Sequence, residues 1–147
     1  MSTPTRNKVI YDTDPGVDDA MALYYALAHP AIDLVGITTT FGNVTVEQAA
    51  TNALYLTALA GRNIPVTRGV ATPWVKSPEA PPAHIHGADG LGNLGLPHPT
   101  ARAEAESAVA FLIRTFMAAE TPVELVTLGP LTNIALALAI EPAVAYN

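Results

Sequence analysis

Four of the six aspartates in this chain lie within eight residues, in the segment Asp12-Thr13-Asp14-Pro15-Gly16-Val17-Asp18-Asp19. Two carboxylates about 4 Å apart repel each other by roughly 4 kcal/mol at an effective dielectric constant near 20. A fold tolerates such a cluster if a cation binds there, if some carboxyls are protonated, or if they point apart. Because the sequence has no cysteine, oxygen atoms are the ligands on offer, which favours calcium or magnesium over zinc. The chemistry indicated is hydrolysis, in which a carboxylate accepts a proton from water.

The flanking sequence predicts where these acids lie. Residues 8–11 are apolar and β-prone, and residues 20–28 are rich in helix formers. The acids therefore fall where a strand ends and a helix begins, which is a common ligand site in open α/β sheets. Asp12 and Asp14 project to one side of an extended backbone, and Asp18 and Asp19 lie at a helix N-terminus, where negative charge is favoured. One aspartate alone is most simply an N-cap or a loop anchor, but four together indicate a site.

Strand-like and helix-like segments alternate along the chain, which predicts an α/β fold with a mostly parallel sheet and flanking helices. The fourth helix is expected to open at Gly129-Pro130, with Pro130 in its first turn. Its apolar stripe is predicted to be Leu131, Ile134, Ala135 and Leu138. The predicted strands are 8–13, 32–39, 65–68 and 123–127, and the other helices are 18–28, 46–60 and 103–119.

Residues 69–99 interrupt this alternation. They hold six prolines, five glycines and three of the four histidines. Long segments without regular structure are often functional, so this one is either a lid or pocket wall, or a surface excursion. Trp74 within it is expected to cover the core, and Tyr24, Tyr25 and Tyr55 are expected to be core residues.

Composition excludes several classes of protein. Half of the 147 residues are apolar and 14% are charged, which is typical of a globular domain. The net charge of −6 and the lack of a Lys/Arg cluster argue against nucleic-acid binding. The sequence shows no apolar run long enough for a membrane span, and residues 1–8 lack the apolar core of a signal peptide. We expect a soluble, cytoplasmic protein without disulfides.

Four motifs resemble the inosine-uridine preferring nucleoside hydrolase family, and they cover the chain from Lys8 onward. The N-terminal motif is the most specific, since it matches at seven defined positions in nine. The other three agree with the family in order and spacing. The motifs are Asp12-x-Asp14-Pro15-Gly16-x-Asp18-Asp19-Ala20, Thr38-Thr39-Thr40-Phe41-Gly42-Asn43, Ile85-His86-Gly87 with Asp89-Gly90-Leu91-Gly92, and Leu128-Gly129-Pro130-Leu131-Thr132-Asn133.

This resemblance implies a Rossmann-like fold and calcium-dependent hydrolysis of the N-glycosidic bond of ribonucleosides, a reaction of purine and pyrimidine salvage. It also implies a homo-oligomer, either a dimer or a tetramer. Asp14 would be a calcium ligand and the general base. The implied roles of the other residues are calcium binding by Asp19 and by the Thr127 carbonyl, support of the metal site by Asp12, ribose binding by Asp18 and Asn43, and a place near the base for His86. A structural role is expected for Asn133.

Members of this family are about twice as long as this chain. Residues 1–147 are therefore expected to be the N-terminal portion of a single nucleoside hydrolase domain, truncated relative to the family. The rest of the domain would supply a further aspartate ligand to calcium and further ribose contacts. Two alternatives remain open. One is a haloacid-dehalogenase-like phosphatase built on Asp12-Thr13-Asp14, and the other is a non-catalytic fragment that binds calcium or ribose.

Overall fold

The computed structural model describes residues 6–146, so the first five positions of the segment compared with a signal peptide lie outside the described residues. Strands and helices alternate in the predicted order. The strands are β1 (Asn7–Thr13), β2 (Ile32–Thr39), β3 (Val66–Arg68) and β4 (Val123–Thr127). The helices are α1 (Val17–Ala28), α2 (Val46–Leu59), α3 (Ala83–His86), α4 (Ala108–Met117) and α5 (Thr132–Ile140), followed by a 3₁₀ helix (Pro142–Tyr146).

The four strands form one parallel sheet in the order β3-β2-β1-β4. In the register of the sheet, Asp12 on β1 lies opposite Thr38 on β2 and Thr127 on β4. All the strands are parallel, so their carboxyl ends meet at one edge. This edge holds the aspartate segment and two of the other three motifs. The parallel sheet with its alternating helices confirms the predicted Rossmann-like α/β fold.

Helices cover the two faces of the sheet and form two hydrophobic clusters. On one face, α1 and α2 pack on β1 and β2 through side chains such as Leu23, Ala53 and Leu56. On the other face, α4 and α5 pack on Ile10 through Phe111, Leu112, Phe116 and Ala137. Gly36 on β2 makes room for this packing, because a Cβ there would lie 2.2 Å from the Phe111 ring. The site edge is thus held between two packed layers.

Helix α4 begins five residues later than predicted. The Ser107 side chain caps it by accepting a hydrogen bond from the Ala110 N–H at 3.3 Å. The residues before the cap pair with strand β3 instead: the Glu104 N–H donates to the Val66 carbonyl, and Ser107 forms a parallel bridge with Arg68. The unpaired edge of β3 therefore competes with the helix for these backbone groups.

The prediction for the start and the buried face of α5 was wrong. The helix begins at Thr132, so Pro130 lies outside it. Leu131 and Leu138 of the expected stripe are exposed, and the buried residues are Asn133 and Ala137. The helix is apolar on almost every side, so its hydrophobic pattern could not select a face, and the hydrogen bonds of Asn133 select it instead.

The predictions for several aromatic side chains were also wrong. Trp74 is 59% exposed, and Tyr24 and Tyr25 on α1 are 48% and 63% exposed. Tyr55 is half-buried and packs against the α1/α2 cluster, as expected. Residues 69–99 form a loop interrupted by the single turn of α3, in agreement with the sequence. Within the described part of the chain, no helix is long and apolar enough to cross a membrane.

Candidate active site

Three of the four clustered aspartates are buried at the carboxyl edge of the sheet. Asp12 is 0%, Asp14 3% and Asp19 4% exposed. Asp18 differs, since 83% of its side chain is exposed. Side-chain direction accounts for this difference in exposure. Asp12 and Asp14 are two residues apart at the strand end and point inward together, whereas Asp18 and Asp19 are adjacent and lie on different faces of the helix.

Asp12 is held by a neighbouring strand and by a helix packed on the sheet. Its Oδ1 accepts hydrogen bonds from the Thr38 hydroxyl on β2 and from the Asn133 amide on α5, the latter at 2.9 Å. Its Oδ2 is buried and has no hydrogen-bond partner among residues 6–146. Burial raises the pKa of the Asp12 carboxyl, and the Thr38 and Asn133 hydrogen bonds oppose that rise.

Asp14 lies between two glycine-containing turns. Its Oδ2 accepts from the Asn43 backbone N–H at 2.6 Å, and its Oδ1 is buried without a partner in the described region. A Cβ on Gly42 would lie 2.0 Å from Oδ2, and a Cβ on Gly129 would lie 2.7 Å from Oδ1. Both turns therefore depend on the missing side chain at these two positions.

The charge state of Asp14 is finely balanced. Burial is the largest cause of a rise in the pKa of this carboxyl to about 7; the hydrogen bond from the Asn43 N–H opposes the rise, and the negative charges of Asp19 and Asp12 add to it. A carboxyl with a pKa near neutrality can both release and accept a proton in that pH range. This is the property required of a general base.

Asp19 is the most fully hydrogen-bonded carboxylate of the cluster. Its Oδ1 accepts from the Thr13 hydroxyl at 3.1 Å, and its Oδ2 accepts from the Gly16 N–H at 3.2 Å and from the Asn43 Nδ2 at 2.7 Å. Burial raises its pKa, and these hydrogen bonds oppose the rise. Asn43 thus binds two aspartates, one through its backbone and one through its side chain.

His86 lies beside the N-terminus of α1. Its Nδ1 accepts from the Val17 N–H at 3.3 Å and lies 3.7 Å from the Asp18 Oδ1. An Nδ1 that accepts a hydrogen bond places the proton of a neutral imidazole on Nε2. The structure therefore brings His86 next to the aspartate segment across 69 positions of sequence.

Thr127 ends β4 opposite Asp12 and is half-buried. The next residue, Leu128, donates its N–H to the Asp12 carbonyl at 2.9 Å. The end of β4 is therefore tied to the end of β1. All seven residues predicted for the site, namely Asp12, Asp14, Asp18, Asp19, Asn43, His86 and Thr127, lie along this edge or on the loops above it.

Two asparagines complete the arrangement. Asn133, 0% exposed, donates to Asp12 and to the Thr39 carbonyl at 3.0 Å and accepts from the Val70 N–H at 3.0 Å. Asn52 on α2 was not identified from the sequence, although it contacts the aspartate loop. The sequence feature that could have identified Asn52 is an amide side chain on a helix face that is otherwise apolar.

The oxygen atoms along this edge of the sheet are ligands that suit a hard cation. Burying carboxylate oxygens without partners is costly, and the unpaired Asp12 Oδ2 and Asp14 Oδ1 are such oxygens. Across residues 6–146, no group of three or more His, Cys, Asp or Glu side chains is arranged to hold a metal ion. Calcium takes six to eight oxygen ligands, which is more than the side chains described here supply.

Comparisons with known proteins point to one family. A family model described as inosine-uridine preferring nucleoside hydrolase matches residues 9–147. The chain is 42% identical to a protein of Arabidopsis thaliana named "Probable uridine nucleosidase 2" over all of this chain and 46% of that protein. It is 40% identical to the pyrimidine-specific ribonucleoside hydrolase RihB of Escherichia coli over 95% of this chain and 44% of RihB. The chain spans about half the length of these relatives.

Solved structures agree with the sequence matches. A plant nucleoside hydrolase superposes with a TM-score of 0.90 at 40% identity, over 95% of this chain and 44% of the plant protein. A purine-preferring ribonucleoside hydrolase from Gardnerella vaginalis superposes with a TM-score of 0.89 at 42% identity, over 94% of this chain and 45% of that protein. The fold, the placement of the motifs at one sheet edge and these matches together establish that the chain belongs to the inosine-uridine preferring nucleoside hydrolase family.

Proposed function

We propose that this chain provides the water-activating part of a ribonucleoside hydrolase, which cleaves the N-glycosidic bond and releases ribose and the free base. The observation that carries the proposal is the placement of Asp14: a buried carboxyl at the carboxyl edge of the sheet with one oxygen unpaired within the described chain. Membership of the nucleoside hydrolase family supports the reaction class.

Asp14 is the proposed general base. Its Oδ2 is held by the Asn43 N–H, which fixes the orientation of the carboxylate, and its Oδ1 stays available to accept a proton from water. In the cation-free protein the pKa of this carboxyl is raised to about 7, and a bound cation would favour its charged, proton-accepting form. The glycines at positions 42 and 129 leave space around both oxygens.

Asp14, Asp19 and the Thr127 carbonyl are the proposed calcium ligands, with Asp12 supporting the metal site. The unpaired Asp12 Oδ2 and the oxygen ligands gathered along the edge support this assignment, and the Asp14 Oδ1 is left to the water. When bound, calcium supplies polarisation of water, which makes the water easier to deprotonate. Asp12 would keep its place through Thr38 and Asn133.

The substrate side of the proposal rests on Asp18, Asn43 and His86. Asp18 presents an exposed carboxylate that can accept hydrogen bonds from ribose hydroxyls, and the Asn43 amide can bond a hydroxyl without adding charge. His86 would lie near the base, with its Nε2 proton free to donate. Cleavage of a glycosidic bond builds positive charge on the sugar, so the surrounding carboxylates would stabilise the transition state.

The named relatives include uridine, pyrimidine-specific and purine-preferring enzymes. We therefore propose a substrate recognised through its ribose, with either a purine or a pyrimidine base. The expected roles in nucleoside salvage, the dimeric or tetrameric state and the cytoplasmic location stay predictions.

The test is the Asp14→Asn variant of the complete gene product that contains this chain. The substitution removes the proton acceptor and one charge but almost no volume, so we expect ribose release from uridine or inosine to fall by about 10²-fold or more. Asp33→Asn is the matched control, because Asp33 lies at the opposite end of the sheet, facing Lys8 in the register. Its turnover should match that of the unmodified protein.

Three results would contradict the proposal. One is full turnover by the Asp14→Asn variant. A second is an unmodified protein that calcium stabilises but that hydrolyses no ribonucleoside, which would favour the non-catalytic alternative. The third is release of phosphate from simple phosphomonoesters, which would favour the phosphatase. Membership of the nucleoside hydrolase family already disfavours a phosphatase.

A further inference from the structure

Asn52 is a buried amide on the second turn of α2 whose donors both point away from its own helix. It is 3% exposed. Its Nδ2 donates to the Pro15 carbonyl at 3.0 Å and to the Asp89 carbonyl at 2.8 Å, and its Oδ1 accepts from the Gln48 Nε2 at 2.8 Å. Both N–H groups of the amide are therefore used, and both bind backbone of other segments.

The two carbonyls belong to the two loops that meet above the sheet edge. Pro15 directly follows Asp14 in the aspartate loop, and Asp89 lies in the loop after α3. The loops touch at Gly90, where a Cβ would lie 2.9 Å from the Pro15 carbonyl and 3.0 Å from the Asn52 Nδ2. Asn52 thus closes a junction between the aspartate loop and the segment that contains His86.

The segment that Asn52 holds is itself cross-linked. The Asp89 Oδ1 accepts from the Leu91 and Asn93 N–H groups at 2.8 Å each, and the Asn93 Oδ1 accepts from the Ala88 N–H at 2.8 Å. The Gly92 N–H donates to the His86 carbonyl at 2.8 Å. A displacement of Asp89 would therefore also displace His86.

We propose that Asn52 is a positioning residue that holds the His86 segment against the aspartate loop and thereby sets the affinity for the nucleoside. This inference rests on the proposed function for its kinetic consequence. An asparagine suits the task because one uncharged side chain supplies two N–H donors in a fixed geometry. Neither a leucine nor an aspartate at position 52 could satisfy both carbonyls, since the first has no donor and the second is negatively charged.

The kinetic test uses Asn52→Leu and Asn52→Ala in the complete gene product. We expect KM for the nucleoside to rise about tenfold, in the range seen when residues supporting a site are removed. The direct contacts of Asp14 come from Asn43 rather than from Asn52, so kcat should change by less than about threefold. Thr57→Val is the matched control: Thr57 is equally buried on α2, and its hydroxyl bonds only the Leu54 carbonyl of the same helix.

A second readout is independent of catalysis. Amide hydrogen exchange should accelerate at least tenfold at Val17 and Leu91 in the Asn52 variants, while Ile37 in the central sheet stays protected. Thr57→Val should leave Val17 and Leu91 unchanged. If the protein hydrolyses no nucleoside, the proposed function fails, but this exchange measurement still decides whether Asn52 joins the two loops.

Unchanged exchange at Val17 and Leu91, or an unchanged KM in a folded Asn52 variant, would overturn the proposal. If both Asn52 variants fail to fold, Gly90→Ala tests the same junction from the other side. Its φ of +78° and the 2.9 Å approach to the Pro15 carbonyl mean that an added methyl group must push the loops apart. The same rise in KM is expected from it, and an unchanged KM would count against the proposal.

Discussion

At the scale of single residues, the three buried aspartates of the site differ in the number of hydrogen bonds that they accept. Asp19 accepts three hydrogen bonds, Asp12 accepts two on one oxygen, and Asp14 accepts one at 2.6 Å. Hydrogen bonds to a carboxylate stabilise its charged form, whereas burial disfavours that form. Asp14, the least compensated of the three, is therefore the carboxyl best suited to take up a proton.

The close approach of Gly42 to Asp14 gives a residue-level prediction. Gly42 has φ +147°, and a Cβ there would lie 2.0 Å from the Asp14 Oδ2, so Gly42→Ala should displace the carboxylate and abolish hydrolysis. Gly61→Ala is the control: Gly61 has φ +64° but open space around it. It should cost about 1 kcal/mol of stability and leave turnover unchanged. Steady-state kinetics with urea unfolding distinguishes the two, and an active Gly42→Ala variant would contradict the geometry.

At the scale of elements, one polar side chain determines how α5 sits on the sheet. Asn133 joins β1, the end of β2 and the loop after β3 through Asp12, the Thr39 carbonyl and the Val70 N–H. The apolar side chains of α5 contribute less to its orientation, since Leu138 and Ile140 are 36% and 67% exposed. The helix that follows the last motif is therefore aligned by the same aspartate that supports the site.

Replacing Asn133 should weaken the whole junction. Asn133→Ala removes a hydrogen-bond partner from the Thr39 carbonyl, the Val70 N–H and Asp12, although Asp12 keeps its bond from Thr38. We therefore expect the free energy of unfolding to fall by about 2–3 kcal/mol. Asn7→Ala is the control, because among residues 6–146 the exposed Asn7 amide bonds Glu124 alone, at 3.2 Å, and its loss should change stability by less than about 0.5 kcal/mol. Urea denaturation measures both variants. Equal stability of the two would show that the Asn133 hydrogen bonds do not stabilise the fold.

At the scale of the whole molecule, the buried carboxyls link stability to pH. Their pKa values are raised in the folded protein, so between about pH 4 and pH 7 the unfolded chain releases protons before the folded chain does. The stability that these carboxyls contribute is fully present at low pH and is lost as pH rises through that window. A bound cation would offset the loss, because it requires the charged form.

The corresponding prediction concerns the cation-free protein. After treatment with a chelator, the free energy of unfolding of the unmodified protein should fall between pH 5 and pH 8. The free energy of unfolding of the Asp14→Asn variant should fall less steeply over this range, because the substituted amide does not titrate. Added calcium should stabilise the unmodified protein more at pH 8 than at pH 5. Urea unfolding across this pH range is the measurement. Parallel pH profiles for the two proteins would refute a raised Asp14 pKa.

The alternation of strands and helices and the placement of the motifs at strand ends could be predicted from the sequence because their determinants are local. The apolar strands, the helix formers and the glycine turns are read within windows of a few residues, and the motif residues follow the strand ends directly. Parallel pairing then brings Asp12, Thr38 and Thr127 to one edge. The errors occurred where local signals were weak, as at α5 and at the exposed Tyr25 and Trp74.

The sequence by itself therefore determined the α/β fold, the aspartate segment and the motifs that place the chain in its family. Tertiary structure alone decided which carboxyl oxygens lack partners, how far the pKa of Asp14 rises, and which asparagines hold the loops. Asn133 and Asp12 are 121 positions apart, and Asn52 lies 37 positions from each of its two loop carbonyls. Burial and hydrogen bonding between such distant groups depend on how the layers pack, and no local pattern of residues encodes that packing.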